Sequence, residues 1–153
     1  MPNSPENAQK TPIFSGEFRP ALDEKKRLTI PARWRSDSRL DLYIVKSRGR
    51  GCLSAMPEAV LQGIGEKAAP LAPSVADHQT FRDQLFSSAF FCPVDSQGRM
   101  VLTEELCRFA GIKKEVVLTG GDTKFDIWSP EKWAEQQQAA APVYESILRS
   151  LGL

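Results

Sequence analysis

Apolar and polar positions along this chain follow one pattern twice, at residues 14–56 and again at residues 86–128. The two copies are offset by 72 positions without a gap. Six positions are identical in both copies: Phe14/Phe86, Ser15/Ser87, Phe18/Phe90, Asp23/Asp95, Arg27/Arg99 and Gly49/Gly121. A unit of this size usually cannot bury its apolar face alone, so we expect the copies to close on each other about a pseudo-twofold axis.

Each copy predicts the order strand, turn, strand, short helix, strand, turn, strand, because alternating apolar positions are separated by turn residues. In the first copy the strands are expected within 13–22 and at 27–30, 42–46 and 52–56, with a helix at 32–39. In the second copy the first strand is expected to end at residue 94, and the other strands are expected at 99–102, 115–119 and 124–128, with a helix at 103–110. Thr103 suits the N-cap of that helix and Gly111 its C-cap. Interleaved hairpins of two such units predict one closed β-barrel.

Five segments are expected along the chain, which we class as α+β, mainly β with helices. They are a disordered tail at 1–12, a first repeat at 13–60, a helical linker at 61–85, a second repeat at 86–133 and a C-terminal helical tail at 134–153. Helices are predicted around the linker at 57–66 and 75–88. A last helix is expected to start after Ser129 and to break at Pro142. The apolar positions beyond Pro142 have helical spacing, and they would dock either on the chain's own core or on a neighbouring subunit.

Composition narrows the class of protein. The chain has 153 residues, 41% of them hydrophobic and 25% charged, which is typical of one soluble globular domain. No apolar stretch approaches the ~18 residues of a membrane span, and the N-terminus has no signal-peptide pattern, so we expect a cytoplasmic protein. Three cysteines without Cys-x-x-Cys spacing and a single histidine, His78, do not make a zinc site. We therefore expect no cofactor and read the cysteines as small buried apolar residues.

Charge is unevenly divided between the copies. Residues 14–60 hold ten Lys or Arg and six Asp or Glu, whereas residues 86–133 hold six and seven. A basic half in a chain of net charge +1 indicates an anionic partner such as nucleic acid, although a solvated basic surface would look the same. The basic side chains of the first copy are Lys25 and Lys26 on the first turn, Arg33 and Arg35 on the following helix, and Arg48 and Arg50 on the second turn.

The motif with the clearest chemistry is Asp-x-x-x-Arg, found as Asp23–Arg27 and again as Asp95–Arg99. An aspartate that opens a turn can accept backbone N–H bonds, and an arginine just after the turn can fold back on it. For the second copy we expect Asp95 and Arg99 only to clamp the turn. For the first copy we expect Arg27 to contact DNA, oriented by Asp23 and supported by the surrounding lysines and arginines.

The residues that known enzymes with a duplicated barrel require are missing from this chain. Proteases that use paired carboxylates carry the sequence Asp-Thr/Ser-Gly at each catalytic turn. Here the two turns read Asp23-Glu-Lys and Asp95-Ser-Gln. Self-processing barrel enzymes need a Gly-Ser cleavage pair, which this chain lacks, and there is no phosphate-binding loop. We therefore expect a protein that is not an enzyme.

Once the copies are aligned, the chain resembles the MraZ family of bacterial transcriptional regulators over about residues 13–135. The resemblance lies in Phe14-Ser-Gly-Glu-Phe18, Leu22-Asp-Glu-Lys-Lys-Arg-Leu-Thr-Ile-Pro31, Val94-Asp-Ser-Gln-Gly-Arg99, Ala110-Gly111, Val116-Val-Leu-Thr-Gly120 and Lys124-Phe-Asp-Ile-Trp-Ser129. It implies two SpoVT/AbrB-type swapped-hairpin units in one chain. It also implies a ring-shaped homo-oligomer at the nucleoid that binds tandem promoter boxes upstream of the division and cell-wall gene cluster, usually as a repressor. Arg27 matches the family's DNA-contacting arginine.

Two departures and one alternative accompany the resemblance. Lys26 stands where the family's first motif usually has glycine, which adds charge but makes a positive-φ turn less favourable. In the second copy Val101-Leu102-Thr103 replaces the usual apolar-Ile-Pro, a change we expect to be structural only. The alternative is an AbrB-type antitoxin, or another interaction module, whose residues 137–153 bind a toxin.

Overall fold

The computed structural model describes residues 13–35 and 40–153, so the predicted N-terminal tail and the end of the first predicted helix lie outside the described residues. The strands are β1 (Glu17–Phe18), β2 (Arg27–Thr29), β3 (Asp41–Ser47), β4 (Cys52–Met56), β5 (Phe90–Pro93), β6 (Arg99–Val101), β7 (Val117–Gly121) and β8 (Lys124–Trp128). The α-helices are α1 (Glu58–Lys67), α2 (Val75–Ser88), α3 (Glu104–Ala110) and α4 (Pro130–Ser150), with 3₁₀ turns at Ala32–Trp34 and Ala69–Leu71. The fold is α+β, as predicted.

The strands of the two copies are interleaved. Six strands form an antiparallel sheet in the order β1-β7-β8-β4-β3-β5, and β2 and β6 form a separate two-stranded ribbon. Among the described strands, only the hairpins β3–β4 and β7–β8 pair strands from the same copy. The pairings β1–β7, β3–β5, β4–β8 and β2–β6 all join one copy to the other. Neither copy therefore completes its own sheet.

Register locates the pseudo-twofold axis. Leu28 of β2 lies opposite Met100 of β6, and Ser54 of β4 lies opposite Asp126 of β8. Both pairs join residues at equivalent positions of the two copies, so the axis passes through both of them. The symmetry is not complete at the sheet edges: Phe18 lies opposite Leu118, whereas the equivalent Phe90 lies opposite Ile44, two residues from the symmetric register.

The main core lies between the ribbon and the sheet. Leu28 and Met100 point into it from the ribbon, and Leu53, Ala55, Phe125 and Ile127 point into it from the sheet. Aromatic rings fill the middle of this core. The ring centre of Trp34 lies 4.9 Å from the ring centre of Phe125 and 5.6 Å from that of Phe14. A second cluster places Met56, Leu61 and Leu85 under α1 and α2. The main core is therefore built from buried residues of both copies.

Several predicted elements are confirmed, and three are wrong. The helix predicted at 32–39 is only a 3₁₀ turn at Ala32–Trp34, since the backbone of Arg35 is already extended. The bounds of β4, β8 and α2 are those predicted, Thr103 accepts a hydrogen bond from the backbone N–H of Leu106, and Gly111 ends α3 with a φ of 70°. The strand expected within 13–22 is reduced to Glu17–Phe18, because Gly16 has a φ of 99° and Pro20 cannot donate to a ladder. Helix α4 continues through Pro142. No residue of α4 is buried, so water can donate a hydrogen bond to the carbonyl of Gln138, which Pro142 leaves without a helical N–H donor.

Candidate nucleic-acid interface

The ribbon of β2 and β6 presents one face to the core and one to solvent. Side chains alternate along a strand, so Leu28 and Met100 point inward while their neighbours point outward. The outward face has two cross-strand pairs: Arg27 opposite Val101, and Thr29 opposite Arg99. Both motif arginines therefore lie on the same face of one ribbon, at opposite ends.

The two Asp-x-x-x-Arg turns have nearly the same geometry. Oδ1 of Asp23 accepts the backbone N–H groups of Lys25 and Arg27 at 2.9 and 2.8 Å, and Oδ2 accepts Nε of Arg27 at 2.6 Å. In the second turn Asp95 makes the equivalent bonds, with Oδ2 accepting Nε of Arg99 at 3.0 Å. Both arginine side chains are 28% exposed. Because each clamp engages Nε, the terminal amino groups of the guanidinium are not committed to the aspartate.

Each clamp keeps its carboxylate charged. The backbone N–H of Arg27 holds the pKa of Asp23 below its usual range, with further lowering from the guanidinium of Arg27 and the N–H of Lys25. The backbone N–H of Arg99, then its side chain and the N–H of Gln97, lower the pKa of Asp95 in the same way. Each arginine is thus held by an anion that stays ionised at neutral pH.

The turns differ at their third residue after the aspartate. Lys26 has a φ of 59°, and its equivalent Gly98 has a φ of 80°. The predicted conflict at Lys26 is therefore present: a lysine occupies a left-handed position that favours glycine. Gly98 is buried, and a Cβ placed there would overlap the guanidinium of Arg35. An arginine of the first copy thus lies over the turn of the second.

Interleaving changes the charge distribution that the sequence indicates. One end of the ribbon carries Lys25, Lys26 and Arg27, and the other carries Arg99 together with Arg35. Both ends are therefore basic, although only the first copy has excess positive charge in the sequence. The geometry does not separate Arg27 from Arg99, and the preference for Arg27 rests on its two adjacent lysines.

The remaining predicted arginines lie outside the strands of the ribbon. Arg33, in the 3₁₀ turn after the ribbon, is exposed, and its Nη2 lies 3.5 Å from Oγ of Ser15. Arg48 is exposed in the turn between β3 and β4. Arg50, in the same turn, donates to Asp126 at 2.9 Å and stacks with its guanidinium carbon 5.0 Å from the ring centre of Trp128. The structure therefore does not bring all seven predicted basic residues to one surface.

Asp126 is a polar centre that the sequence reasoning missed. Its side chain is 5% exposed and also accepts Nζ of Lys124 at 2.8 Å and Oγ of Ser54 at 2.7 Å. Leu53 and Ala55 face the main core, so strand alternation places Ser54 and Asp126 on the opposite face of the sheet, away from the ribbon. Arg50 is held there. The 72-residue offset makes positions 54 and 126 equivalent, but only the register of β4 with β8 shows that this pair lies on the twofold axis.

Other chemistry is limited in the described ranges 13–35 and 40–153. No grouping of His, Cys, Asp and Glu there has the arrangement of a metal site. All three cysteines are buried and unpaired, as predicted, and burial raises the pKa of Cys92 to about 11. Among these residues no helix has the length and apolar character to span a bilayer.

These features define a class of single-chain α+β proteins in which two repeats share their strands and present paired Asp–Arg turns on a ribbon. Comparison identifies the family. A family model described as "MraZ protein, putative antitoxin-like" matches residues 85–146. The chain is 35% identical over 139 residues to "Transcriptional regulator MraZ" of Heliobacterium modesticaldum, covering 91% of this chain and 96% of that protein.

Two further relatives carry the same name. The protein of Symbiobacterium thermophilum is 36% identical over 137 residues, covering 90% of this chain and 99% of its own. The protein of Thermomicrobium roseum is 37% identical over 139 residues, covering 91% and 97%. The chain belongs to the MraZ family.

Proposed function

We propose that this protein is a sequence-specific transcriptional regulator, acting as a repressor, that binds double-stranded DNA through the outer face of the β2–β6 ribbon. One observation carries the proposal: two arginines, each clamped by an ionised aspartate, lie on one solvent-facing ribbon. A two-stranded ribbon fits the major groove, where an arginine can donate two hydrogen bonds to guanine. Clamping reduces the side-chain entropy that such a contact would otherwise lose.

The neighbouring cations suit phosphate contacts. Lys25 and Lys26 lie beside Arg27, Arg35 lies beside the other turn, and Arg33 is exposed close to the ribbon. Lysines and arginines around a base-reading element fix its register on the duplex without reading sequence. Arg50 is committed to Asp126 on the opposite face of the sheet, and Arg48 lies in the same β3–β4 turn, so we assign neither to this surface.

The names of the relatives support a role in transcription, since each is called a transcriptional regulator. By family resemblance, the target would be tandem boxes upstream of the division and cell-wall gene cluster, bound in the cytoplasm at the nucleoid. The interleaved sheet and ribbon would correspond to the swapped-hairpin barrel of SpoVT/AbrB proteins.

The proposed homo-oligomer has two candidate contact surfaces. Along α4 and just past its end, Val143, Tyr144, Ile147 and Leu151 lie on one side and are each more than half exposed, while Glu145 and Arg149 occupy the opposite side. A one-sided apolar stripe of this kind is typical of a helix that packs against a partner.

The second surface is a groove of about 420 Å³ between α1 and α2, whose apolar lining includes Ile64, Leu71, Pro73 and Phe81. It is a different surface from the stripe on α4. A contact between two different surfaces of identical chains is heterologous, and it generates a closed ring when the rotation closes. We propose that α4 of one copy occupies the groove of the next.

The test for DNA binding is fluorescence anisotropy with promoter DNA carrying two or more boxes, compared with one scrambled duplex at physiological salt. We expect Arg27→Ala to lose specific binding, at ~1–3 kcal/mol per engaged subunit, with the oligomer intact. Arg99→Ala should weaken binding less, because its turn lacks the two lysines. The matched control is Arg108→Ala, whose side chain on α3 is 76% exposed, and this variant should bind normally. Equal affinity of the unmodified protein for both duplexes would exclude sequence-specific binding.

A second function is favoured by the description of the family model as antitoxin-like. In that case the exposed stripe of α4 would bind a toxin instead of a second copy. Purification of the tagged full chain from its native cells would then recover a stoichiometric small protein, and Ile147→Glu would release it. Recovery of the chain alone, as an oligomer, supports the regulator.

A further inference from the structure

The outer face of the ribbon has a second pair of equivalent positions, Thr29 and Val101, which lie 72 residues apart. Val101 is 51% exposed and Thr29 is exposed, so neither has a packing role in the core. The register places each of them directly opposite an arginine: Val101 opposite Arg27, and Thr29 opposite Arg99. These two side chains form the remainder of the surface that contains the proposed base-reading arginines.

The spacing of this surface suits adjacent bases. Directly opposite residues of an antiparallel pair have Cβ atoms ~4.5–5.5 Å apart. Successive base pairs of DNA are ~3.4 Å apart along each strand. When Arg27 contacts a guanine, the side chain at 101 is therefore placed over a neighbouring base, and the same holds for Arg99 and the side chain at 29.

The two side chains differ in chemistry. Valine offers only methyl groups, and in the major groove the matching apolar feature is the C5-methyl group of thymine. Threonine offers one methyl group and a hydroxyl that can donate or accept a hydrogen bond. The equivalent positions 27 and 99 are both arginine, but 29 and 101 are not alike. The arginines alone would read a box equally well in either direction.

We propose that Val101 and Thr29 determine specificity and direction on the DNA: Val101 contacts the methyl group of a thymine next to the guanine bound by Arg27, and Thr29 reads a different base at the symmetric position. The inference rests on the proposed DNA-binding function. It replaces the expectation that the change at Val101 is structural only. Direction matters for a regulator of tandem boxes, because neighbouring subunits must bind successive boxes in the same orientation.

The experiment is a thymine-to-deoxyuridine scan of the promoter boxes, since deoxyuridine keeps the base pair and removes only the methyl group. For the unmodified protein, we expect replacement at one thymine per box to reduce affinity about fourfold, the value of one buried methyl group. Val101→Ser should bind the thymine and deoxyuridine duplexes equally. Val101→Ile is the matched control, because it keeps the branched methyl groups and should keep the sensitivity. Thermal unfolding should show all variants folded, since residue 101 is exposed.

Two kinds of failure are distinguishable in this design. If the unmodified protein does not prefer promoter boxes over scrambled DNA, the proposed function itself fails. If it does prefer them but Val101→Ser remains as sensitive to deoxyuridine as the unmodified protein, the thymine contact is wrong while the DNA-binding function stands. Thr29→Val should add a new sensitivity at the symmetric position of the box, and its absence would contradict the directional reading.

Discussion

Residue 26 shows how one side chain serves two opposed requirements. The first turn needs a left-handed residue after Asp23, and the equivalent position in the second turn is Gly98. Lysine in this left-handed conformation is less stable than glycine would be, but it adds a cation beside Arg27. The resemblance to the family's first motif predicted this conflict. It could not predict that Gly98 is covered by Arg35, because that contact joins residues 63 positions apart in different copies.

Replacing Lys26 by glycine should therefore separate stability from binding. We expect Lys26→Gly to increase the free energy of unfolding by about 1 kcal/mol, or ~2–4 °C in Tm, because the left-handed strain is removed. The same variant should bind DNA with a smaller salt dependence, since one phosphate contact is lost. Urea unfolding and salt titrations measure the two effects. Gly98→Ala is the reciprocal control and should destabilise the protein; a stable Gly98→Ala would contradict the assigned turn geometry.

The aspartate clamps give a second prediction, on pH. The pKa of Asp23 is lower in the folded chain than in the unfolded one, so its contribution to stability is complete above about pH 3.9 and is lost as the pH falls through the folded value. The stability difference between the unmodified protein and Asp23→Asn should be constant from pH 5 to 8 and should shrink below about pH 4. Urea unfolding across this range provides the measurement. A difference that changed between pH 6 and 8 would mean that another group governs the clamp.

At the scale of elements, the ribbon and the sheet separate the arginines that the sequence grouped together. Periodicity and turn residues were enough to predict β4, β8 and α2 with their bounds. They could not show which strands pair, because each pairing apart from the two hairpins crosses between copies. Arg50 was predicted for DNA from its position in a basic turn, and only the pairing of β4 with β8 shows that Asp126 is its partner.

Arg50→Ala should consequently affect folding instead of binding. Removing the guanidinium leaves buried Asp126 with Lys124 and Ser54, so we expect a loss of about 1–2 kcal/mol in the free energy of unfolding. The estimate is at the low end for a buried carboxylate because Arg50 is itself 42% exposed and Lys124 remains. DNA affinity of the folded variant should be unchanged. Arg48→Ala, in the same turn but exposed, is the control and should change stability by less than about 0.5 kcal/mol.

For the whole molecule, the duplication predicted the twofold relation, and the register places its axis at two pairs of equivalent residues. The uneven charge of the two copies in the sequence does not give an uneven charge on the ribbon. Excess positive charge belongs to the first copy in sequence, but interleaving places Arg35 on the turn of the second copy, so both ends of the ribbon are basic. A property summed over a sequence segment describes a surface only when that segment folds as a separate body.

Assembly is expected to depend on the apolar stripe of α4. Ile147 is 56% exposed on α4, and Ile147→Glu should break the proposed contact with the groove of the next subunit without destabilising the monomer, because no residue of α4 is buried. We expect mass photometry to show a shift from oligomer to monomer. Binding to DNA with tandem boxes should fall by about 10²–10⁴-fold, the contribution of linked sites, while the weak affinity for one box is retained. Arg149→Glu, on the opposite side of the same helix, changes charge without touching the apolar stripe and should leave the oligomer intact. If Ile147→Glu remained fully assembled, the contact between subunits would have to be made by a surface other than α4.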